Sequence, residues 1–254
     1  MPRHAQDHFF PITRMSDNRD ISSTAERPPV KLGVLISGTG TNLQAIIDAI
    51  ERRELRAEIR LVISNRAGAQ GLERARRHGI ASRTIDHRRF ASREDFDRAL
   101  VEALNAHGVE LVICAGFMRL LSPVMLGAFP DRVMNIHPAL LPAFPGVHAQ
   151  KAALEHGVRF AGCTVFFVRE GVDDGPIIAQ AVVPVMPGDD EETLSERIRA
   201  QEHRIYPWAI QLYQEGRLTI EGHTVRIADF PGGDESLALL HPRSSHSPRL
   251  KCPH

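Results

Sequence analysis

The sequence predicts an α/β fold: an open, mostly parallel, doubly wound sheet that ends in an antiparallel hairpin. Three observations carry that expectation. From Leu32 onward, apolar strands alternate with segments of helical period. The most apolar stretch, residues 109–115, lacks the alternation of a half-exposed strand, which suits a central parallel strand buried on both faces. A glycine–aspartate turn then separates the last two strand candidates, as in a hairpin.

The elements follow in order. Residues 32–36 are a short apolar strand, followed by a glycine-rich turn and a helix over 42–52. Residues 59–64 form a second strand, and 72–79 a helix closed by Gly79. Phe96, Leu100 and Leu104 step by four along a third helix that stops at His107 and Gly108. The buried strand at 109–115 and a shorter one at 132–137 come next. Residues 164–168 and 177–185 pair across the acidic turn, and a last helix runs from about Glu191 to Tyr206, where Pro207 ends or kinks it. Residues 31–222 therefore read as one domain, between an irregular leader over 1–30 and an irregular tail over 223–254. Within the tail, the apolar run 237–240 is the one stretch able to dock.

Composition narrows the function. Apolar residues make up 43% and charged residues 24%, and 31 Lys+Arg offset 31 Asp+Glu. No global field recruits nucleic acid or an acidic membrane surface. The longest apolar run, 111–118, is far short of the roughly 20 residues that span a bilayer. Three cysteines (Cys114, Cys163, Cys252), widely spaced and without C-x-x-C, suit a reducing cytoplasm better than a disulfide framework or a zinc knuckle.

Five segments could carry chemistry. Ser37-Gly38-Thr39-Gly40-Thr41-Asn42 sits between the first strand and the first helix, where glycines let the backbone approach an anion and a helix N-terminus offers unpaired N–H groups. Leu43 stands where the dinucleotide fingerprint needs its third glycine, and no Gly-Lys-Ser/Thr follows, so a single phosphate fits better than NAD or ATP. A tight turn with Asn42 as helix cap fits equally. In Asn135-Ile136-His137-Pro138, residues i and i+2 share a strand face, so an amide and an imidazole point the same way, a donor pair suited to an oxyanion. Pro138 holds His137 extended. In Gly171-Val172-Asp173-Asp174-Gly175, a carboxylate brought near His137 would favour the charged imidazole; otherwise the pair is ordinary turn chemistry. Glu202 falls on the apolar stripe of the last helix with Leu194 and Ile198, where it needs a ligand as partner unless the stripe has reached solvent. Finally, Phe117, Met118, Arg119, Leu120 and Leu121, after the buried strand, could wall a flat heterocycle or simply pack.

Taken together, these segments resemble the glycinamide ribonucleotide formyltransferases, folate-dependent enzymes of purine synthesis. The likeness covers about residues 31–222. N-x-H-P-x-L-L-P belongs to the wider formyltransferase superfamily, whereas S-G-x-G-[ST]-N-L, A-G-F-M-R-[IL]-L-S-P and Q-E-H-x-I-Y-P are much more specific, and all occur intact. The resemblance implies transfer of the formyl group of 10-formyltetrahydrofolate to the amine of 5'-phosphoribosylglycinamide, with no metal and no nucleotide cofactor. It implies Asn135, His137 and Asp173 as the catalytic set, and Gly40, Thr41, Asn42 and Glu202 as ribonucleotide contacts. For the folate it implies Arg93, Met118, Arg119, Leu120 and Leu121, with Asn135 and the loop Arg169, Glu170, Gly171, Val172 and Asp173 opposite. It further implies small-molecule partners, a cytoplasmic enzyme, and a monomer or weak homodimer.

This chain departs from the family pattern at two positions. Ala139 stands where a serine is usual, and Asp174 where the family has Gly or Ala. Rival readings are a formyltetrahydrofolate deformylase, expected to carry a preceding regulatory domain, and a methionyl-tRNA formyltransferase, expected to carry a further RNA-binding domain where only residues 223–254 follow.

Overall fold

A computed structural model of the protein describes residues 27–229. Residues 1–26 of the expected leader lie outside the described residues, as do the run 237–240 and Cys252. The order is β1 (Val30–Ile36), α1 (Thr41–Glu51), β2 (Ala57–Ser64), α2 (Gln70–Arg77), β3 (Ser82–Thr84), α3 (Arg93–Ala106), β4 (Leu111–Cys114), α4 (Pro123–Ala128) and β5 (Val133–His137). Then come α5 (Ala149–Glu155), β6 (Phe160–Phe167), β7 (Ile177–Pro184), α6 (Glu191–Gln214), β8 (Leu218–Glu221) and β9 (Thr224–Ile227).

The strands form one mixed sheet in the order β3-β2-β1-β4-β5-β6-β7-β9-β8. It is parallel from β3 to β5. β6 then pairs antiparallel with β7, as the hairpin pattern predicts, and also with β5. Apolar layers cover both faces. Leu32, Val34 and Ile36 of β1 pack toward α1 and α6, against Leu43, Ile46, Leu194 and Ile198. Leu35, on the other face, joins Phe96, Leu100 and Leu104 of α3 and Met125 of α4. Gly33 lets α3 approach, because a Cβ there would collide with Leu104. On β5, Met134 and Ile136 face the α1–α6 layer. Asn135 and His137 are therefore turned to the opposite face.

Two expectations need correction. The last helix does not stop near Tyr206; α6 passes through Pro207 and ends at Gln214. Proline forfeits the N–H that would bond the His203 carbonyl. Continuing the helix, however, buries Ala209, Ile210 and Leu212, and that burial outweighs one backbone bond. An Asp190–Thr193 capping box starts the helix. The expected boundary at residue 222 falls inside the β8–β9 hairpin, since β9 closes the sheet beyond it. β8 and β9 have four residues each with alternating partial exposure, too short a pattern to read against a polar tail. β3, α4 and α5 were likewise unmarked by any long period. Among the described residues, no helix is long and apolar enough to cross a membrane.

Candidate active site

The site begins where β1 and β4 part. They are neighbours in the sheet, but α1 covers one face and α4 the other, so the loops beyond their carboxyl ends diverge and leave a crevice. A cleft of about 210 Å³ lies there, lined by the 37–42 loop, Arg66 and the segment around Gly116 and Met118.

Gly40 caps α1 in the left-handed region, at φ 70°, with no side-chain cap. The first N–H groups of the helix thus remain available to an anion. Asn42 is not the cap. It is the second helical residue, and its side chain reaches elsewhere. A Cβ on Gly40 would sit 2.6 Å from the Cα of Gly71, so two glycines meet back to back where the loop rests on α2. The Gly71 N–H donates to the Gly38 carbonyl at 3.1 Å, and Arg74 Nε to the Thr39 carbonyl at 2.9 Å.

Asn42 Nδ2 donates to Glu202 Oε2 at 3.0 Å. Both residues are 9% exposed, and Asn42 Oδ1 has no partner. Burial pushes the Glu202 carboxyl above its usual range, opposed by the Asn42 bond and the charges of Arg199 and His137. A buried amide oxygen with no partner, beside a buried carboxylate, is an acceptor awaiting a donor.

His137 ends β5 and is 5% exposed. Its Nε2 lies 2.8 Å from the Phe144 carbonyl, and its Nδ1 lies 3.3 Å from Asp173 Oδ2. An oxygen acceptor thus faces each ring nitrogen. Asp173 also accepts the Gly146 N–H at 2.7 Å, and sits in the left-handed region at φ 48°, which aspartate tolerates better than most residues. Asp174 is exposed and packs beside Gly171. The loop leaves β6 with the Val168 N–H on the Val133 carbonyl, at the start of β5, yet delivers Asp173 to the end of that strand. It therefore runs back along β5, past half-buried Asn135.

The remaining expected residues are more dispersed. Met118 and Leu120 are exposed, at 63% and 53%, while Leu121 is buried. Arg119, Glu170, Gly171 and Val172 are exposed. Arg169 pairs with Asp131 at 2.6 Å. Arg93 opens α3 and pairs with Glu94 at 3.6 Å. Ala139 is buried and its carbonyl accepts from Thr164 Oγ1 at 2.6 Å, so the main chain holds this turn whatever the side chain.

A family model described as "Formyl transferase" matches residues 30–210. Phosphoribosylglycinamide formyltransferase of Escherichia coli is 48% identical over 185 residues, which cover 73% of this chain and 87% of that one. The chain belongs to the phosphoribosylglycinamide formyltransferase family. A solved structure of glycinamide ribonucleotide transformylase 1 from Symbiobacterium toebii is similar at a TM-score of 0.79 and 56% identity, covering 84% of this chain and all of that one. The trifunctional purine biosynthetic protein adenosine-3 of Gallus gallus is 48% identical over 206 residues, but the match spans only 20% of its length. Membership in this family of purine biosynthesis disfavours the hydrolase reading.

Several residues that shape the candidate site have no role of their own in the sequence reading, although Ser37 and Tyr206 lie inside the quoted motifs. Buried Ser37 accepts the Met118 N–H at 2.8 Å and donates to Asn65 Oδ1 at 2.7 Å, tying the glycine loop to the 115–121 segment. Tyr206 places its hydroxyl 3.0 Å from the carbonyls of both Cys114 and Met134, pinning α6 against the end of β4 and the start of β5. Its position four residues after Glu202 on the same stripe was the available hint. Arg199, exposed one turn before Glu202, was legible only as a surface charge.

Proposed function

We propose that this chain transfers the formyl group of 10-formyltetrahydrofolate to the primary amine of 5'-phosphoribosylglycinamide in the cytoplasm. The observation that carries the reading is the buried His137–Asp173 contact beside Asn135, on the strand next to β4, whose parting from β1 leaves a phosphate-sized crevice. The helix N-terminus at Gly40, Thr41 and Asn42 holds the phosphate, with Arg199 adding positive charge. Glu202 and Asn42 Oδ1 accept from the ribose hydroxyls, one of which supplies the donor that Asn42 Oδ1 lacks. Met118, Arg119, Leu120 and Leu121 face the folate from one side, the loop from Arg169 to Asp173 from the other, and Arg93 meets its carboxylate end.

In the chemical step the amine nitrogen bonds to the formyl carbon and the bond from that carbon to folate N10 breaks. Asn135 and His137 donate to the oxygen on which charge develops, and Asp173, facing Nδ1, orients the ring. The His137 Nε2 hydrogen that serves the oxyanion is the one now given to the Phe144 carbonyl, so the turn around Phe144 must yield when substrate binds. The proton lost by the amine passes to N10, with a water placed by Asp173 as carrier.

The test is an assay of formylated ribonucleotide from both substrates, with folate alone as control. Formyl transfer that requires the amine supports the reading; equally fast hydrolysis without it overturns it.

A further inference from the structure

Asp97 is fully buried on α3, and no catalytic step uses it. Its Oδ2 accepts two hydrogen bonds from Ser122, from N–H at 2.5 Å and from Oγ at 2.7 Å, while Oδ1 has no partner. Ser122 is the cap residue of α4, where a serine hydroxyl ordinarily binds its own helix; here it makes no such bond and turns to Asp97 instead. Burial pushes the Asp97 carboxyl above its usual range, opposed by the Ser122 bonds and by the charge of Arg93. An apolar side chain would fill this position without that desolvation cost.

What the carboxylate joins explains it. Arg93 lies four residues earlier on the same helix, one turn away. Ser122 directly follows Met118, Arg119, Leu120 and Leu121. A second tie runs parallel to the first, for Phe96 of α3 stacks on Phe117 with centroids 6.4 Å apart and planes at 15°. The side chains of Met118 and Leu120 are exposed, so apart from the Met118 N–H bond to Ser37 the outer part of the segment depends on these ties.

We propose that Asp97 is a positioning residue for the folate: by clamping Ser122 it sets the 118–121 wall at a fixed distance from Arg93. The proposal rests on the folate reading given above. It assigns Asp97 no contact with either substrate, and predicts an effect on one substrate alone.

Three variants test it. Ser122→Ala removes the hydroxyl but keeps the backbone donor. Asp97→Asn keeps an oxygen able to accept both bonds, whereas Asp97→Ala keeps none. We expect the KM for 10-formyltetrahydrofolate to rise about tenfold in Ser122→Ala, more in Asp97→Ala and less in Asp97→Asn, as loss of a charge-assisted bond implies. The KM for the ribonucleotide and kcat should each stay within about twofold. Calorimetric titration with tetrahydrofolate should give the same ranking without turnover. Equal rises in both KM values, or lowered melting temperatures with unchanged folate affinity, would make Asp97 a structural residue only and overturn the proposal. Failure of the unmodified protein to bind tetrahydrofolate would instead overturn the folate reading.

Discussion

At the scale of single residues, the site sets requirements that oppose stability. Glu202 is the sharpest example. Its folded-state carboxyl is raised by burial, so at neutral pH folding opposes an ionisation that the unfolded chain makes freely, which weakens the fold. The sign follows from linkage: a carboxyl raised on folding contributes stability below its unfolded value and loses it as pH climbs through the folded one. Glu202→Gln should therefore melt a few degrees higher than the native protein at neutral pH, with the gap closing below the ordinary carboxylate range. The same variant should bind the ribonucleotide more weakly, and thermal melts across pH beside a binding titration would check both halves. Stabilisation that does not depend on pH would contradict the argument. For the chemistry itself, His137→Ala and Asn135→Ala should each lower kcat by about 10²–10³, the usual cost of an oxyanion donor. Asp173→Asn should cost about 10², and Asp174→Asn less than about twofold, because only Asp173 reaches the ring. Steady-state rates of the four variants decide this, and a larger loss from Asp174→Asn would move the role to the neighbour.

At the scale of elements, the first βα turn is the most constrained piece of the molecule. Gly40 needs both a positive φ and the absence of a side chain, since Gly71 closes the space behind it. Gly40→Ala should destabilise by about 1–2 kcal/mol through the left-handed conformation alone. It should also raise the KM for the ribonucleotide several-fold by lifting the loop off α2. Urea unfolding together with KM values for both substrates would show it; an unchanged ribonucleotide KM would separate the loop from the phosphate. This element was legible in advance because its glycines, strand and helix are contiguous. Pro207 shows the opposite case. A local rule stops the helix there, and only the tertiary layer that receives Ala209 and Ile210 overrides it.

For the whole molecule, periodicity sufficed where an element was long and buried, and failed at the margins. β1, β4 and α3 carry their own pattern, whereas β8 and β9 exist because the sheet edge offers them a partner. The shared strand face of Asn135 and His137 could be read in advance, but not the ties from Ser37 to Asn65 or from Asp97 to Ser122. Those pairs are 28 and 25 residues apart and meet only through the crossing of the sheet. Removing everything after Gly222 strips β9 and leaves β8 unpaired. Such a chain should unfold at lower urea concentration yet keep its kcat, because the site lies at the β1, β4 and β5 ends. Loss of kcat would mean that the edge hairpin supports the site at a distance.

The Asn42–Glu202 bond joins residues 160 positions apart. During synthesis, at about 5–20 residues per second, Asn42 therefore leaves the peptidyl-transferase centre on the order of ten to thirty seconds before its partner is even added. The phosphate turn can be shaped early, since Gly40 and Gly71 are close in the chain. The half built on Glu202 cannot exist until α6 has emerged and docked. On the proposed reading, an unfinished chain cannot hold the ribonucleotide as the completed one does, and ligand can act as a folding template only after translation of α6, when it binds across this long-range contact.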